Sequence, residues 1–535
     1  MGAMGSRVFS ILLKAFFSTT PYRNILSMTN TTGTFQEWTD DIEKARVNLG
    51  IQGMSVAVVH KGRIIYAQGF GKRNDTDPFT PETIANIASM TKAFTAAAVG
   101  ELIAENRAKW DAPVSVYLPE FRLKDPRLTA EINFIDLLAH RTGYAGQDFE
   151  WYQRSKDWIE LIKLLKYVDP VVPLRSRFIY TNTMYCVAGE AAGRIAGTSY
   201  EQVVYDKLFQ PIGMQSTGLL MDELVSHPNH ALPYTGKSFE ALQCGKTHQV
   251  SLKHYPIPTP PSGEMYSNVI DLAKWANVML HGGQLNGVQV LHKETVEKVT
   301  TAWIVQKTLP PRDPDSSLSA YGMGWFIEQY KGHHTILHGG QNPGYRSNMV
   351  LFPHDDLAVI VLSNTLFNEL VGAIPYYIAD CVLNLPKTKD WLFEVAVQET
   401  RDLYKLFGAD NNPEILDSLF PPRLQQKPPT RLLEEFAGEY THPYAQKILI
   451  RVEPGTSEED SAPVLACKLG AFDRTLEHYH YDSFRLQLLD DLIDDTFAYP
   501  LLLTFVAGHS GFVSECRVLM LGKEQVFTKV QPDII

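Results

Sequence analysis

Ser89-Met90-Thr91-Lys92 sets a hydroxyl and an amine three residues apart inside a segment of high helix propensity, Ile87 to Gly100. On a helix this offset brings both side chains to one face about one turn apart, so the Lys92 amine can reach the Ser89 hydroxyl and make it a nucleophile. A serine in the first turn also has free backbone N–H groups and the positive end of the helix dipole beside it. Two fixed positions in four recur by chance in a chain of 535 residues, and ordinary helix surface is the competing reading. Tyr180-Thr181-Asn182 precedes a second helical stretch at Tyr185. A phenol there could shuttle a proton if a nearby ammonium lowered its pKa from the ordinary ~10, and Asn182 could hold both the lysine and a substrate amide. Alone, the triplet reads first as turn chemistry. A third group, His338-Gly339-Gly340-Gln341, falls between two strand patterns, where glycines let a substrate approach the backbone closely.

The elements that must position these groups follow from the hydrophobic pattern. Phe35 to Leu49 has helical spacing, Gly53 to His60 reads as a buried strand, and Lys61-Gly62 turns the chain into a partner strand at Arg63 to Gly71. The stretch from Ala108 to Arg141 reads as irregular and mostly helical. Helices are expected at Trp158 to Tyr167, Tyr185 to Ile195, Tyr200 to Leu208, Asn268 to Leu280 and Lys293 to Thr301. Between them, Gly218 to Pro261 shows little periodicity and reads as a long insertion that shapes a cleft. Strand patterns return at Tyr321 to Tyr330, Thr335 to Gly339, Tyr345 to Phe352 and Leu357 to Asn364, before a closing helix at Ile374 to Leu385. Strands at both ends of this stretch must then meet in one antiparallel sheet. A proline-punctuated linker with a helix at Trp391 to Leu406 occupies 386–431. Short alternating segments from Leu432 onward, including Lys447 to Val452, Val464 to Lys468, Arg485 to Leu488 and Thr504 to Ala507, predict a small all-β domain over 432–535.

Composition bounds the function. A content of 44% hydrophobic and 20% charged residues is that of globular protein, in a chain long enough for several domains. A net charge of −11 with no basic run argues against a phosphate-backbone ligand, so nucleic acid is not an expected partner. Five scattered cysteines without CxxC spacing indicate neither a disulfide framework nor a zinc site. His333, His334, His478 and His480 have no ligand-like spacing, so no metal or other cofactor is expected. Residues 1–35 read as a leader: Met1 to Ser6 as a tag, and the acid-free stretch to Met28 as weakly targeting-like. The cysteine usage points to a cytoplasmic protein, with the leader leaving mitochondrial or secreted locations open. The apolar run Val8 to Phe17 is too short for a membrane span. Oligomeric state stays open.

In this order and at these separations, Ser89-x-x-Lys92, Tyr180-x-Asn182 and His338-x-Gly340 resemble the three motifs of the serine beta-lactamase and penicillin-binding-protein superfamily. The resemblance is greatest to its class C beta-lactamase-like branch, which includes esterases, D-aminopeptidases, DD-peptidases and acyltransferases. Leu137 to Gly143, Tyr321 to Trp325 and Val359 to Asn364 support it, and it covers about 36–385. The tail resembles the small β-barrel appended to some members, on Glu435 to Tyr440 and His478 to Phe484. The resemblance implies an α+β domain (an α/β sandwich), an antiparallel sheet flanked by helices beside an all-helical region, with the cleft between them. It implies that Ser89 forms an acyl-enzyme, that Lys92 and Tyr180 share the general-base role, and that Tyr180 protonates the leaving group. Asn182, His338, Gly339, Gly340 and Gln341 would bind and position the substrate, with the Ser89 and Gln341 N–H groups as an oxyanion hole on an edge strand.

One motif departs from the family pattern. His338-Gly339-Gly340 stands where Lys-Thr-Gly is usual, which removes a permanent cation and a hydroxyl donor. Efficient beta-lactam hydrolysis is therefore not expected. Hydrolysis of an ester, lactone or amide of a small molecule or peptide is, with acyl transfer as the alternative. A non-catalytic binding member of the fold would show decay at Ser89, Lys92 or Tyr180, and none has decayed.

Overall fold

A computed structural model describes residues 35–146, 155, 157–251, 259–306, 315–317, 319–407, 420–445, 447–455, 462–470, 472–486, 501–520 and 523–531. The expected leader lies outside these residues except for Phe35.

Helix α1 (Phe35–Leu49) is followed by strands β1 (Gly53–His60) and β2 (Arg63–Gly71). Lys61 and Gly62 turn between them with positive φ values of 52° and 73°, as a tight hairpin demands. The chain then enters helix α2 (Thr91–Ala104), continues through short helices to α3 (Asn182–Ala196), α4 (Val269–Leu280) and α5 (Lys293–Val299), and returns to strands. These are β3 (Ile304–Val305), β4 (Ala320–Tyr321), β5 (Phe326–Tyr330), β6 (His333–Asn342), β7 (Tyr345–Phe352) and β8 (Leu357–Ser363). All eight form one antiparallel sheet in the order β2-β1-β8-β7-β6-β5-β4-β3. β1 lies along β8 from Met54 opposite Ser363 to His60 opposite Leu357, so the two ends of this stretch do meet in one sheet.

Both faces of the sheet are covered, which is why its central strands are apolar throughout rather than alternating. Ala57, Val59, Met349, Leu351, Ala358 and Ile360 face the helical region, where they share a core with Phe94, Leu137, Tyr185 and Trp275. The alternate residues Val56, Val58, Val350, Phe352, Val359 and Val361 share a second core with Trp38, Ile42 and Leu49 of α1. Helices α6 (Leu370–Val382) and α7 (Ala396–Phe407) complete that layer through Leu370, Ile374, Leu403 and Tyr404. Helix α2 is buried on every side over Thr91 to Leu102, and its Phe94 stacks on Trp275 of α4 at 4.1 Å.

The expected single strand from Tyr321 to Tyr330 is broken. Gly322 N–H bonds to the Trp325 carbonyl at 2.8 Å, closing a turn between β4 and β5 with Gly324 at φ +81°. A side chain at Gly324 would meet the Ala93 backbone at 2.6 Å, so the chain turns here against the first residues of α2.

The C-terminal strands are β9 (Gly438–Thr441), β10 (Ile448–Glu453), β11 (Val464–Leu469), β12 (Phe472–His480), β13 (Ser483–Leu486), β14 (Leu501–Ala507), β15 (Val513–Met520) and β16 (Lys523–Lys529). They form a closed antiparallel barrel in which β9 pairs with both β10 and β16. Alternate residues fill it, among them Ile448 and Ile450, Leu465, Cys467 and Leu469, Leu501, Leu503 and Phe505, and Cys516 and Val518. Among the described residues, no helix is long and apolar enough to cross a membrane.

Candidate active site

Ser89 lies in a 3-10 turn, Ala88–Met90, that leads directly into α2. Ala88 sits at φ +48°, a left-handed conformation that costs free energy in alanine and persists only where its surroundings impose it. They do: its N–H donates to Asn86 Oδ1 at 2.9 Å, and its carbonyl accepts from Thr91 Oγ1 at 2.6 Å. Thr91 Oγ1 in turn accepts the Met265 N–H at 3.2 Å, tying the turn to the segment beyond the insertion. Ser89 is half-buried between buried neighbours.

Lys92 is fully buried. Its Nζ is 3.1 Å from Ser89 Oγ, 2.8 Å from Asn182 Oδ1 and 2.7 Å from the Ser262 carbonyl. The latter two can only accept, so two N–H groups point away from the serine. An ammonium can donate to the Ser89 hydroxyl as well; a neutral amine can keep the other two bonds and turn its lone pair to that hydroxyl. Ser262 belongs to the turn Thr259-Pro260-Pro261-Ser262-Gly263, whose Thr259 N–H donates to the buried Glu264 carboxylate. Burial pushes the Glu264 pKa up to about 8.

Tyr180 and Asn182 straddle the start of α3. Nζ of Lys92 lies over the Tyr180 ring, 4.7 Å from its centroid, and 5.5 Å from that of Tyr185. Ser89 and Lys92 are thus brought into one cluster with Tyr180 and Asn182 of a distant segment.

Strand β6 closes the other side. Gly340 packs on the Ala88–Met90 turn so closely that a Cβ there would lie 2.2 Å from the Ile87 carbonyl oxygen and 3.0 Å from Ala88 Cβ. Ser347, opposite Gly340 on β7, donates to the same Ile87 carbonyl at 2.7 Å. β6 is not an edge strand of the sheet, as the motif reading expects; it lies between β5 and β7. β5 pairs with it only up to Leu337, because the turn at Gly322 to Trp325 ends that strand, so β6 becomes a local edge over His338 to Asn342. Gln341 receives Arg346 Nη1 at 3.3 Å on its Oε1, and Arg346 is ion-paired with buried Glu369.

His338 is 2% exposed. Its Nδ1 is 2.6 Å from the Gly339 carbonyl and must donate to it, which leaves Nε2 to accept the Tyr321 hydroxyl at 3.1 Å. Both ring nitrogens are engaged by the protein. Burial, then the Lys92 charge, push its pKa down to about 3, so it is neutral at ordinary pH. Residues that motif reading leaves without a role also stand here: Ser262 through its carbonyl, Tyr321 through His338, Arg346 through Gln341. The Pro-Pro-Ser-Gly run at 260–263 is a turn signal that could have drawn attention to Ser262.

The family model described as Beta-lactamase matches residues 39–382. The chain belongs to the Beta-lactamase family. This Beta-lactamase family chain is 27% identical over 440 residues to Unguisins hydrolase ungD' of Aspergillus campestris (strain IBT 28561), a match spanning 78% of this chain and 77% of that protein. In fold it is similar to the octameric penicillin-binding protein homologue from Pyrococcus abyssi, with TM-score 0.55 and 20% identity over 93% of this chain and 100% of the other. It is similar also to EstCE1, a hydrolase with promiscuous acyltransferase activity, with TM-score 0.53 and 19% identity over 65% of this chain and 98% of the other.

Proposed function

We propose that this chain is a serine hydrolase that acts through an acyl-enzyme on an ester, lactone or amide of a small molecule or peptide. The observation that carries the reading is the contact of Lys92 Nζ with Ser89 Oγ at 3.1 Å, with Asn182 Oδ1 and the Ser262 carbonyl also in contact with Nζ and the Tyr180 ring lying under it. Ser89 Oγ attacks the substrate carbonyl carbon while its proton passes to neutral Lys92, and the oxyanion is met by the Ser89 and Gln341 N–H groups. Tyr180 then gives a proton to the leaving oxygen or nitrogen, and the C–O or C–N bond breaks. Water gives a proton to the Tyr180 phenolate and attacks the acyl carbon, the acyl C–Oγ bond breaks, and Lys92 returns its proton to Ser89 Oγ. Asn182 holds Lys92 and the substrate amide, while His338, Gly339 and Gly340 shape the strand against which the acyl group lies. All of these residues fall within 36–385, the stretch assigned to the hydrolase unit, with 432–535 a separate all-β unit.

A short p-nitrophenyl ester should give a burst of p-nitrophenolate equal to the enzyme present, with an acyl adduct visible by intact mass, and Ser89→Ala should abolish both. An unchanged rate in that variant overturns the assignment. Failure of the folded protein to react with a fluorophosphonate would point instead to a non-catalytic member of the fold. Because the similar EstCE1 is described as having promiscuous acyltransferase activity, the assay should include an alcohol acceptor, whose ester product would mark transfer.

A further inference from the structure

Three consecutive residues around the proposed proton carrier are held by one side chain and its own peptide. His140 sits at φ +54°, in the left-handed region that non-glycine residues seldom occupy. Its carbonyl accepts the Ile179 N–H at 2.8 Å, and its ring Nδ1 accepts the Thr181 N–H at 3.1 Å. Between these two peptides is Tyr180, whose ring lies 4.3 Å from the imidazole at an interplanar angle of 36°. His140 itself is anchored from below. The Asp136 carboxylate, fully buried, takes Arg141 Nε and Arg175 Nη2 at 2.7 Å each, and Arg175 N–H donates to the Arg141 carbonyl at 2.7 Å.

We propose that His140 is a positioning residue that fixes the height and tilt of the Tyr180 phenol over Lys92 by clamping both flanking peptides. The proposal rests on the reading of Tyr180 as a proton carrier. A peptide N–H can only donate, so Nδ1 is the unprotonated nitrogen and Nε2 bears the hydrogen; an imidazolium would lose the acceptor. The surroundings hold the ring neutral. Phe178, Tyr185 and Tyr321 face it at 5.5, 5.1 and 5.0 Å, and burial, then the neighbouring Lys92, oppose its protonation. The clamp therefore stays closed over the pH range in which Lys92 and Tyr180 exchange protons. Nε2 meets no hydrogen-bond partner among the described residues, so His140→Phe keeps the stacked ring and removes one interaction, the acceptor for Thr181.

The test compares H140F, H140N and Y180F in the full chain with a p-nitrophenyl ester. Asparagine places an oxygen where Nδ1 stands and tolerates the left-handed conformation. The clamp predicts that H140F loses roughly tenfold to a hundredfold in kcat with KM within about twofold, and shifts the basic limb of kcat/KM. H140N should recover most of kcat and the wild-type limb. Wild-type kcat and limb in folded H140F, or equal losses in H140F and H140N, would overturn the clamp. Should H140F not fold, H140A and H140N serve, since both lose the ring and differ in the acceptor; equal kcat in that pair is again fatal. Full activity in Y180F brings down the reading of Tyr180 and the clamp together, whereas an inactive Y180F beside an unaffected H140F removes the clamp alone.

Discussion

Tyr180 and His338 are two polar rings of the same cluster, their ring centroids 6.5 Å apart, and each supports its own test. Lys92 Nζ lies over the Tyr180 ring at 4.7 Å and the proposed reaction passes the leaving group's proton through this phenol, so Tyr180→Phe should cost about 10²- to 10⁴-fold in kcat while the thermal midpoint stays within a few degrees. A midpoint that falls as steeply as the rate would make Tyr180 a packing residue. His338 is held neutral. In the unfolded chain its proton is bound near the ordinary 6.5, and in the folded protein only near 3. The unfolded state holds more protons between those values, so this contribution is intact above pH 6.5 and is lost as the pH falls toward 3, by about 1.4 kcal/mol per pH unit. Urea unfolding at pH 7 and pH 5 should show that H338Q loses less stability on acidification than the parent. Equal losses would mean that the ring is accessible to protons in the folded protein.

At the scale of elements, the two glycines after His338 are not equivalent. A Cβ at Gly340 would strike the Ile87 carbonyl oxygen at 2.2 Å and Ser347 Oγ at 2.4 Å, whereas at Gly339 the nearest atom is 3.5 Å away. Gly340→Ala should therefore push β6 off the Ala88–Met90 turn, lowering stability by about 1 to 3 kcal/mol and removing most of the burst, while Gly339→Ala leaves stability within about 1 kcal/mol and the burst within about twofold. Thermal melts and burst amplitudes of the two variants decide it. This difference also marks how much the sequence could disclose. Helix α2 was legible because alanine-rich propensity and all-round burial agree, and β1, β2, β7 and β8 because their apolar runs are bounded by turns. Ser89, Lys92, Tyr180 and His338 were legible as residue types in an order. Tyr321 to Tyr330 misled because an apolar run does not reveal that Gly324 must pass the backbone of Ala93. The contributions of Ser262 and His140 were hidden for a related reason: a carbonyl and a ring nitrogen act through tertiary approach, which no spacing records.

Across the whole molecule, α7 is part of the packing beneath the eight-stranded sheet. Its Leu403 and Tyr404 enter the core beneath the sheet, Thr400 Oγ1 accepts the Glu369 N–H at 2.9 Å, and Glu369 is the partner of Arg346, which holds Gln341. A chain cut after Leu385 should accordingly unfold at a markedly lower urea concentration than one cut after Phe407, and show a smaller burst; identical midpoints would reduce α7 to a tether. The cysteines supply a separate reporter for each half. Cys186 is buried in α3, while Cys467 and Cys516 are enclosed in the barrel, where burial raises the Cys467 thiol to about 12 and Cys516 well above its ordinary value. Thiols so placed do not meet an alkylating reagent until the surrounding strands or helices part. Exposed Cys244 should be modified at once, and the buried thiols at the opening rates of their own surroundings, so timed alkylation read by peptide mass measures how fast each half breathes without adding a probe to the protein.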